Sequence, residues 1–262
     1  MAYWFLRIGA ALCFIGHGAF GFITKEAWLS YFAVAGIPEA WAWQLMPLIG
    51  AVDIMVGMSV LFAPRSLPLL YMVVWAFWTA LLRPLAGESF FETLERAGNY
   101  GVPLALLFLT GFPRTIADLF RPLNDSVPND VDTFRAQAVL KWTTCVLLIG
   151  HGALGISGTA TLVAHYESIG LPASTAMTVG IFELLLAAAI AVRPMVSVLL
   201  FTAAWKLATE LLFISAGSPL WEVVERAGSY AAPLALAALV GMSSSGVQAR
   251  HLKVRRAQLV QE

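Results

Sequence analysis

Charge is what this 262-residue chain has least of: Asp, Glu, Lys and Arg together make up 12% of it. Soluble domains carry about 25%. Basic and acidic residues number 16 each, so the formal net charge is zero, and no basic face is present for a nucleic acid to use. Cysteine is almost missing. Cys13 and Cys145 both lie in apolar runs, without CxxC or metal-ligand spacing, which argues against a disulfide framework and an iron–sulfur centre. A Ser-His-Asp order and a phosphate-cradling glycine loop are absent too. What is present is apolar: 59% of residues are hydrophobic and the mean hydropathy is +0.77. A soluble globular enzyme is excluded, and the first partner of this chain is a lipid bilayer.

A bilayer core about 30 Å thick takes roughly 20 apolar residues in a helix. Eight segments meet that length: 4–24, 43–63, 67–85, 93–112, 137–158, 174–192, 195–215 and 224–242. The fold class expected is therefore all-α, a polytopic membrane protein with eight transmembrane helices. The one long polar stretch, 114–136, reads as a linker between residues 1–113 and 137–242, and residues 243–262 form a basic tail.

The two long units repeat each other. IGHGAFG (15–21) returns as IGHGALG (149–155), and FETLERAGNYGVPLALL (91–107) as WEVVERAGSYAAPLALA (221–237), at offsets of 134 and then 130 residues. Four helices per copy is an even number, so the copies share one orientation and a pseudo-twofold axis along the membrane normal is expected. Residues 3–22 have the look of a signal peptide, but their copy is internal, so the first helix is expected to belong to the fold. Counting Lys and Arg at the helix ends gives eleven on the side of both termini and four on the other. By the positive-inside rule the termini are expected in the cytoplasm, in a bacterial-type cytoplasmic (inner) membrane.

Each ionisable residue inside such helices is a site candidate. His17 and His151 occupy matched positions and are flanked by glycines, which let a helix or a flat ligand come close. Asp53 and Glu183 lie near the middle of the second and sixth segments; a carboxyl there needs a partner or a proton. These four are the candidate catalytic groups. The fourth and eighth segments open with Glu95, Arg96, Asn99, Tyr100 and with Glu225, Arg226, Ser229, Tyr230, the candidate cofactor-binding groups. Glu92–Arg96 and Glu222–Arg226 are i, i+4 pairs that suit a helix start. The copies differ where Lys206 and Glu210 replace Ala76 and Ala80, and where Phe213 replaces Arg83, so the two sites are expected to have diverged. Trp75, Trp78 and Trp205 read as packing or interfacial anchors. His17, Asp53 and Glu95 are a metal set by ligand type alone.

GIPEAWAWQLMPLIGAVDIMVGMSVLFAPRSLPLL (36–70) resembles the middle of a DoxX-like protein. The matching features are Gly36-Ile37-Pro38, Asp53, Gly57 and Arg65, and in the second copy Gly170-Leu171-Pro172, Glu183 and Arg193, without the glycine after the acid. Arg7 and Lys141 open the glycine-rich first helices in the same way. The chain thus resembles two fused four-helix DoxX-like units. That family includes a subunit of a thiosulfate:quinone oxidoreductase. The resemblance implies a component of a quinone-linked oxidoreductase, with other membrane or extracytoplasmic redox subunits supplying electrons.

The residues themselves agree with an outer-leaflet pocket for a quinone or a small reductant, since a histidine and a carboxyl in an apolar setting can exchange protons with a quinone. Two other classes fit the same sequence: a non-catalytic anchor subunit, and a small-solute transporter with parallel repeats, although no broken helix is evident. If the first and fifth helices face each other, His17 and His151 become axial ligands for one haem b.

Overall fold

The computed structural model describes residues 1–123 and 129–242, so part of the polar linker and the whole basic tail lie outside the described residues. The described chain is almost entirely helical. Six helices are long and apolar enough to cross a membrane: α1 (Ala2–Ile23), α3 (Glu39–Phe62), α4 (Ser66–Leu85), α8 (Asp130–Ile156), α10 (Ser174–Val192) and α11 (Val196–Ser215). At 1.5 Å per residue these reach about 28–40 Å.

The fourth and eighth expected segments come out differently. Each is broken into a one-turn helix and a longer one: α5 (Phe91–Glu95) and α6 (Ala97–Leu109), then α12 (Trp221–Glu225) and α13 (Ala227–Met242). The breaks fall at Arg96 and Arg226, whose guanidinium groups turn back onto Glu92 and Glu222. A break leaves carbonyls without helical donors. The Tyr100 hydroxyl donates to the Thr93 carbonyl and the Tyr230 hydroxyl to that of Val223, both at 3.2 Å, bridging the two pieces.

Short helices α2 (Leu29–Val34) and α9 (Ala160–Glu167) follow α1 and α8 and were not expected from the sequence. In the linker, α7 (Ile116–Phe120) starts on a capping box between Thr115 and Asp118. Those hydrogen bonds, the Thr115 side chain's first, hold the Asp118 carboxyl below its ordinary range. Helix α8 begins within the expected linker, because Asn129 caps it and Asp130 and Asp132 sit in its first turn.

Packing runs through glycines. A Cβ on Gly18 would come 2.5 Å from the Gly50 carbonyl oxygen, so α1 and α3 touch along their backbones. Gly152 and Gly180 bring α8 and α10 together in the same way, at 2.7 Å. The other flanking glycines join the two halves: Gly16 receives the backbone of Glu225, and Gly150 that of Glu95. Helices α1 and α8 therefore pack on α12 and α5 rather than on one another. The glycines that flank the two histidines are thus each covered by the backbone of another helix. At the N-terminal end, Arg7 donates to the Val60 and Leu61 carbonyls, closing the last turn of α3.

Candidate functional site

In the half of the bundle away from the N-terminus, a cavity of about 290 Å³ lies among α1, α2, α3, α4 and the break between α5 and α6. Aromatic rings make much of its wall: Phe14, Trp28, Tyr31, Phe32, Trp75 and Trp78. Trp75 and Trp78 thus serve as walls of a cavity as well as packing anchors. The polar residues on the wall are His17, Asp53, Thr79, Arg83, Arg96 and Asn99. The small side chain of Ala76 on α4 lies on the same wall.

Asp53 is 3% exposed and its Oδ1 has no hydrogen-bond partner. His17 does not pair with it. Its Nε2 lies 3.3 Å from Asn99 Nδ2 and its Nδ1 3.5 Å from a Glu225 carboxylate oxygen. The sequence grouped His17 with Glu95, but the carboxylate beside it is Glu225, contributed by the other half. Glu95 instead meets Arg96 at 2.5 Å and Arg226 at 3.5 Å. It does not line the cavity. The reason is the crossed packing at Gly16 and Gly150, which carries each Glu-Arg turn across to the opposite half's first helix. A metal set of His17, Asp53 and Glu95 is not assembled, and among the described residues no group of three or more His, Cys, Asp or Glu side chains could hold a metal ion.

At the edge of the cavity, Arg83 pairs with Glu88 at 3.0 Å and lies over the Tyr31 ring. The Tyr31 hydroxyl donates to Glu88. Burial, and the Glu88 carboxylate, push this phenol well above its ordinary range. Tyr31, Trp28 and Glu88 escape a reading of the sequence; the only trace is that Tyr31 matches His165 under the 134-residue offset.

The matched region of the second half is built on charge. Glu183 is fully buried; it is hydrogen-bonded to His151 Nδ1 and accepts from Trp205 Nε1 at 3.0 Å. Lys206, 1% exposed, stands 3.6 Å from Glu183 and 3.4 Å from Glu210. Arg226 continues the chain: its Nε is 3.3 Å from Glu210 and 3.5 Å from Glu95, and its Nη1 is 2.8 Å from Glu225. The guanidinium also lies over the Phe213 ring, 4.0 Å from its centroid. Ser229 is buried beside this cluster on α13. His165 on α9 packs edge-on against Phe213, and burial pushes its imidazole down to about 4.

Of the twelve candidate residues, His17, Asp53, Arg96 and Asn99 are brought to one cavity. His151, Glu183, Glu95, Glu225 and Arg226 belong to the ion-pair network, which touches that cavity through His17 and Arg96. Tyr100 and Tyr230 brace the helix breaks.

Chemically, the first half offers a ring-lined chamber with one carboxyl oxygen that lacks a hydrogen bond, one imidazole and two guanidinium groups. The second half offers a set of charges paired with one another, although Lys206 Nζ, Glu210 Oε1 and Arg226 Nε lack hydrogen bonds within it. No family model matches the chain, and neither a curated protein nor a solved structure is found to be similar to it.

Proposed function

We propose that the protein is an integral membrane component of a quinone-linked oxidoreductase and that the cavity around Asp53 receives the quinone head group. The observation that carries this reading is Asp53 itself: a buried, unpartnered carboxyl oxygen on the wall of an aromatic chamber beside an imidazole. Unpaired polar groups inside a bilayer are costly and are kept where they serve a ligand or a proton. The residues fit the group, because rings from Trp28, Trp75 and Trp78 suit a flat ring and the two polar groups suit its oxygens.

When bound, a quinone supplies two-electron chemistry coupled to two protons; the electrons come from a partner redox subunit. The chain's own residues handle protons and position. With His17 Nδ1 turned to Glu225, the ring holds its proton on that side and presents Nε2 as the exchanging atom. Asn99 steadies Nε2. Asp53 holds or takes a proton at Oδ1, and the aromatic wall keeps water away.

In this reading the chain is two DoxX-like units of four passes each, with α5–α6 and α12–α13 as the fourth and eighth, and with both termini in the cytoplasm of a bacterial-type inner membrane. The matched packing of Gly16 on Glu225 and of Gly150 on Glu95 supports a twofold relation between the units.

The test uses the full chain in nanodiscs. Short-chain ubiquinol, kept reduced under argon, should quench tryptophan emission saturably, since three tryptophans line the cavity, and Asp53→Asn should weaken that binding by about tenfold, the worth of one buried hydrogen bond. Absence of saturable quenching overturns the reading. An absorption spectrum of the same sample with a b-type band at full occupancy would replace the quinone with haem.

One observation favours a second reading, transport. The helix breaks at Arg96 and Arg226 are the feature that discontinuous transporter helices use to bind substrates near the midplane. Solute uptake by the isolated chain in proteoliposomes would establish it.

A further inference from the structure

We infer that, of the two matched regions, the one in the first half is a ligand site, and that in the second half Lys206 does internally what the ligand does in the first. The ligand is then an apolar molecule that brings its own hydrogen-bond donor to Asp53. The inference rests on the reading above only for the ligand's flat ring.

Three differences between matched residues carry it. Asp53 matches Glu183, one methylene longer. The longer side chain reaches His151 and is hydrogen-bonded to it, whereas the shorter one stops short of His17 and keeps Oδ1 free. Ala76 matches Lys206. Ala76 lies on the cavity wall, and at its counterpart the ammonium group is buried 3.6 Å from Glu183. Ala80 matches Glu210, which holds that ammonium from its other side at 3.4 Å. The second half therefore fills the matched space with a donor aimed at its own carboxylate. The first half leaves the space open and its carboxyl unanswered. The tryptophan donor is shared: Trp205 donates to Glu183, and Trp75 reaches the Asp53 carboxyl in the same way, leaving Oδ1 as the atom without a partner.

Lys206 Nζ also lacks a hydrogen bond, but it has a carboxylate at ion-pair distance on each side, which offsets part of its loss of water. Asp53 Oδ1 has neither a hydrogen bond nor a cation beside it. Its missing contact is a donor, because the second half shows a donor at the matched place.

Dicyclohexylcarbodiimide tests this. The reagent is lipophilic and adds a carboxyl O–H across one C=N bond, after which the acyl group migrates to nitrogen and no atom leaves. It finds carboxyls that are reachable from an apolar phase and that no cation holds. On the full chain in nanodiscs, peptide mass analysis should place an adduct on Asp53 and none on Glu183. Labelling of Glu183 alongside Asp53, or an unlabelled Asp53, overturns the inference without any variant having to fold. In Lys206→Ala/Glu210→Ala, a charge-neutral change, Glu183 should gain an adduct; continued protection of Glu183 in a folded variant overturns the role given to Lys206. Trimethylhydroquinone, kept reduced under argon, should protect Asp53, and its dimethyl ether, which lacks donors, should not. Equal protection by the ether overturns the donor requirement. Protection by neither, with labelling confined to Asp53, leaves the first-half site standing and removes the quinone reading instead.

Discussion

Gly98 and Gly228 lie back to back where the halves meet: a Cβ on Gly98 would fall 2.6 Å from the Gly228 carbonyl carbon, and one on Gly228 would fall 2.5 Å from that of Gly98. Backbone meets backbone, so neither side can yield by rotating a side chain. The contact also sets the positions of the two broken segments, and through them Arg96 and Arg226.

Gly98→Ala and Gly228→Ala are each expected to cost about 1–3 kcal/mol, the usual range for forced overpacking. Because the two share one contact, the double variant should cost less than the sum. Gly241→Ala, where among the described residues a Cβ would meet Val196 alone, at 3.8 Å, should be close to neutral. Thermal unfolding of the detergent-purified protein measures all four.

Lys206 is held by Glu183 and Glu210 with no hydrogen bond to its Nζ. Lys206→Met removes the cation and leaves two carboxylates facing each other, a one-sided break that costs about 3–5 kcal/mol in buried pairs. Lys206→Met/Glu210→Gln removes one charge of each sign and should recover much of that loss. Equal destabilisation of the single and double variants would show that the network, rather than the pair, sets the cost.

The helical class and the long apolar helices are legible in the sequence because length and hydropathy are local properties. So is the pairing of a histidine with a carboxyl, visible in His151 and Glu183. The exchange of glutamates is not legible. Glu225 belongs by sequence with His151 but stands beside His17, and which half a side chain faces depends on how α12 crosses α1 at Gly16. The helix breaks were hidden for another reason: Glu92 and Arg96 have the spacing of an ordinary first-turn ion pair, and the same pair supports a helix or a turn that ends one. Tyr31 and His165 sit on helices too short for periodicity to reveal.

His165 makes a pH prediction. It lies outside the long helices, edge-on to Phe213, and burial, then the positive charge of Arg226, lowers its pKa from 6.5 to about 4; His151 and Lys206 act in the same direction, and Glu95 opposes them. A histidine neutral in the fold and protonated when unfolded makes the unfolded state bind more protons below pH 6.5. Stability should therefore fall as pH drops from about 6.5 to about 4 and lose this contribution to its slope below that. In His165→Gln the slope across that window should flatten. A slope unchanged by the substitution would assign it to other groups.

The last prediction exchanges the carboxyl lengths. Asp53→Glu adds one methylene, ~1.5 Å of reach, and should let the carboxyl meet His17 as Glu183 meets His151. A buried hydrogen bond to a charged partner is worth about 1.5–3 kcal/mol, so the variant should unfold at a higher temperature than the natural chain. It should also lose quinol quenching, because the group that awaited a ligand is now satisfied from within. A substitution that keeps the charge, raises stability and abolishes binding is hard to obtain by general damage. The reverse change, Glu183→Asp, should draw the carboxylate back from His151 and leave Lys206 short of one partner, lowering stability by about 1–3 kcal/mol without affecting quenching. Should Asp53→Glu bind quinol as well as the natural chain does, the length of this carboxyl is not what keeps the first-half site open, and the role falls to Ala76 and Ala80.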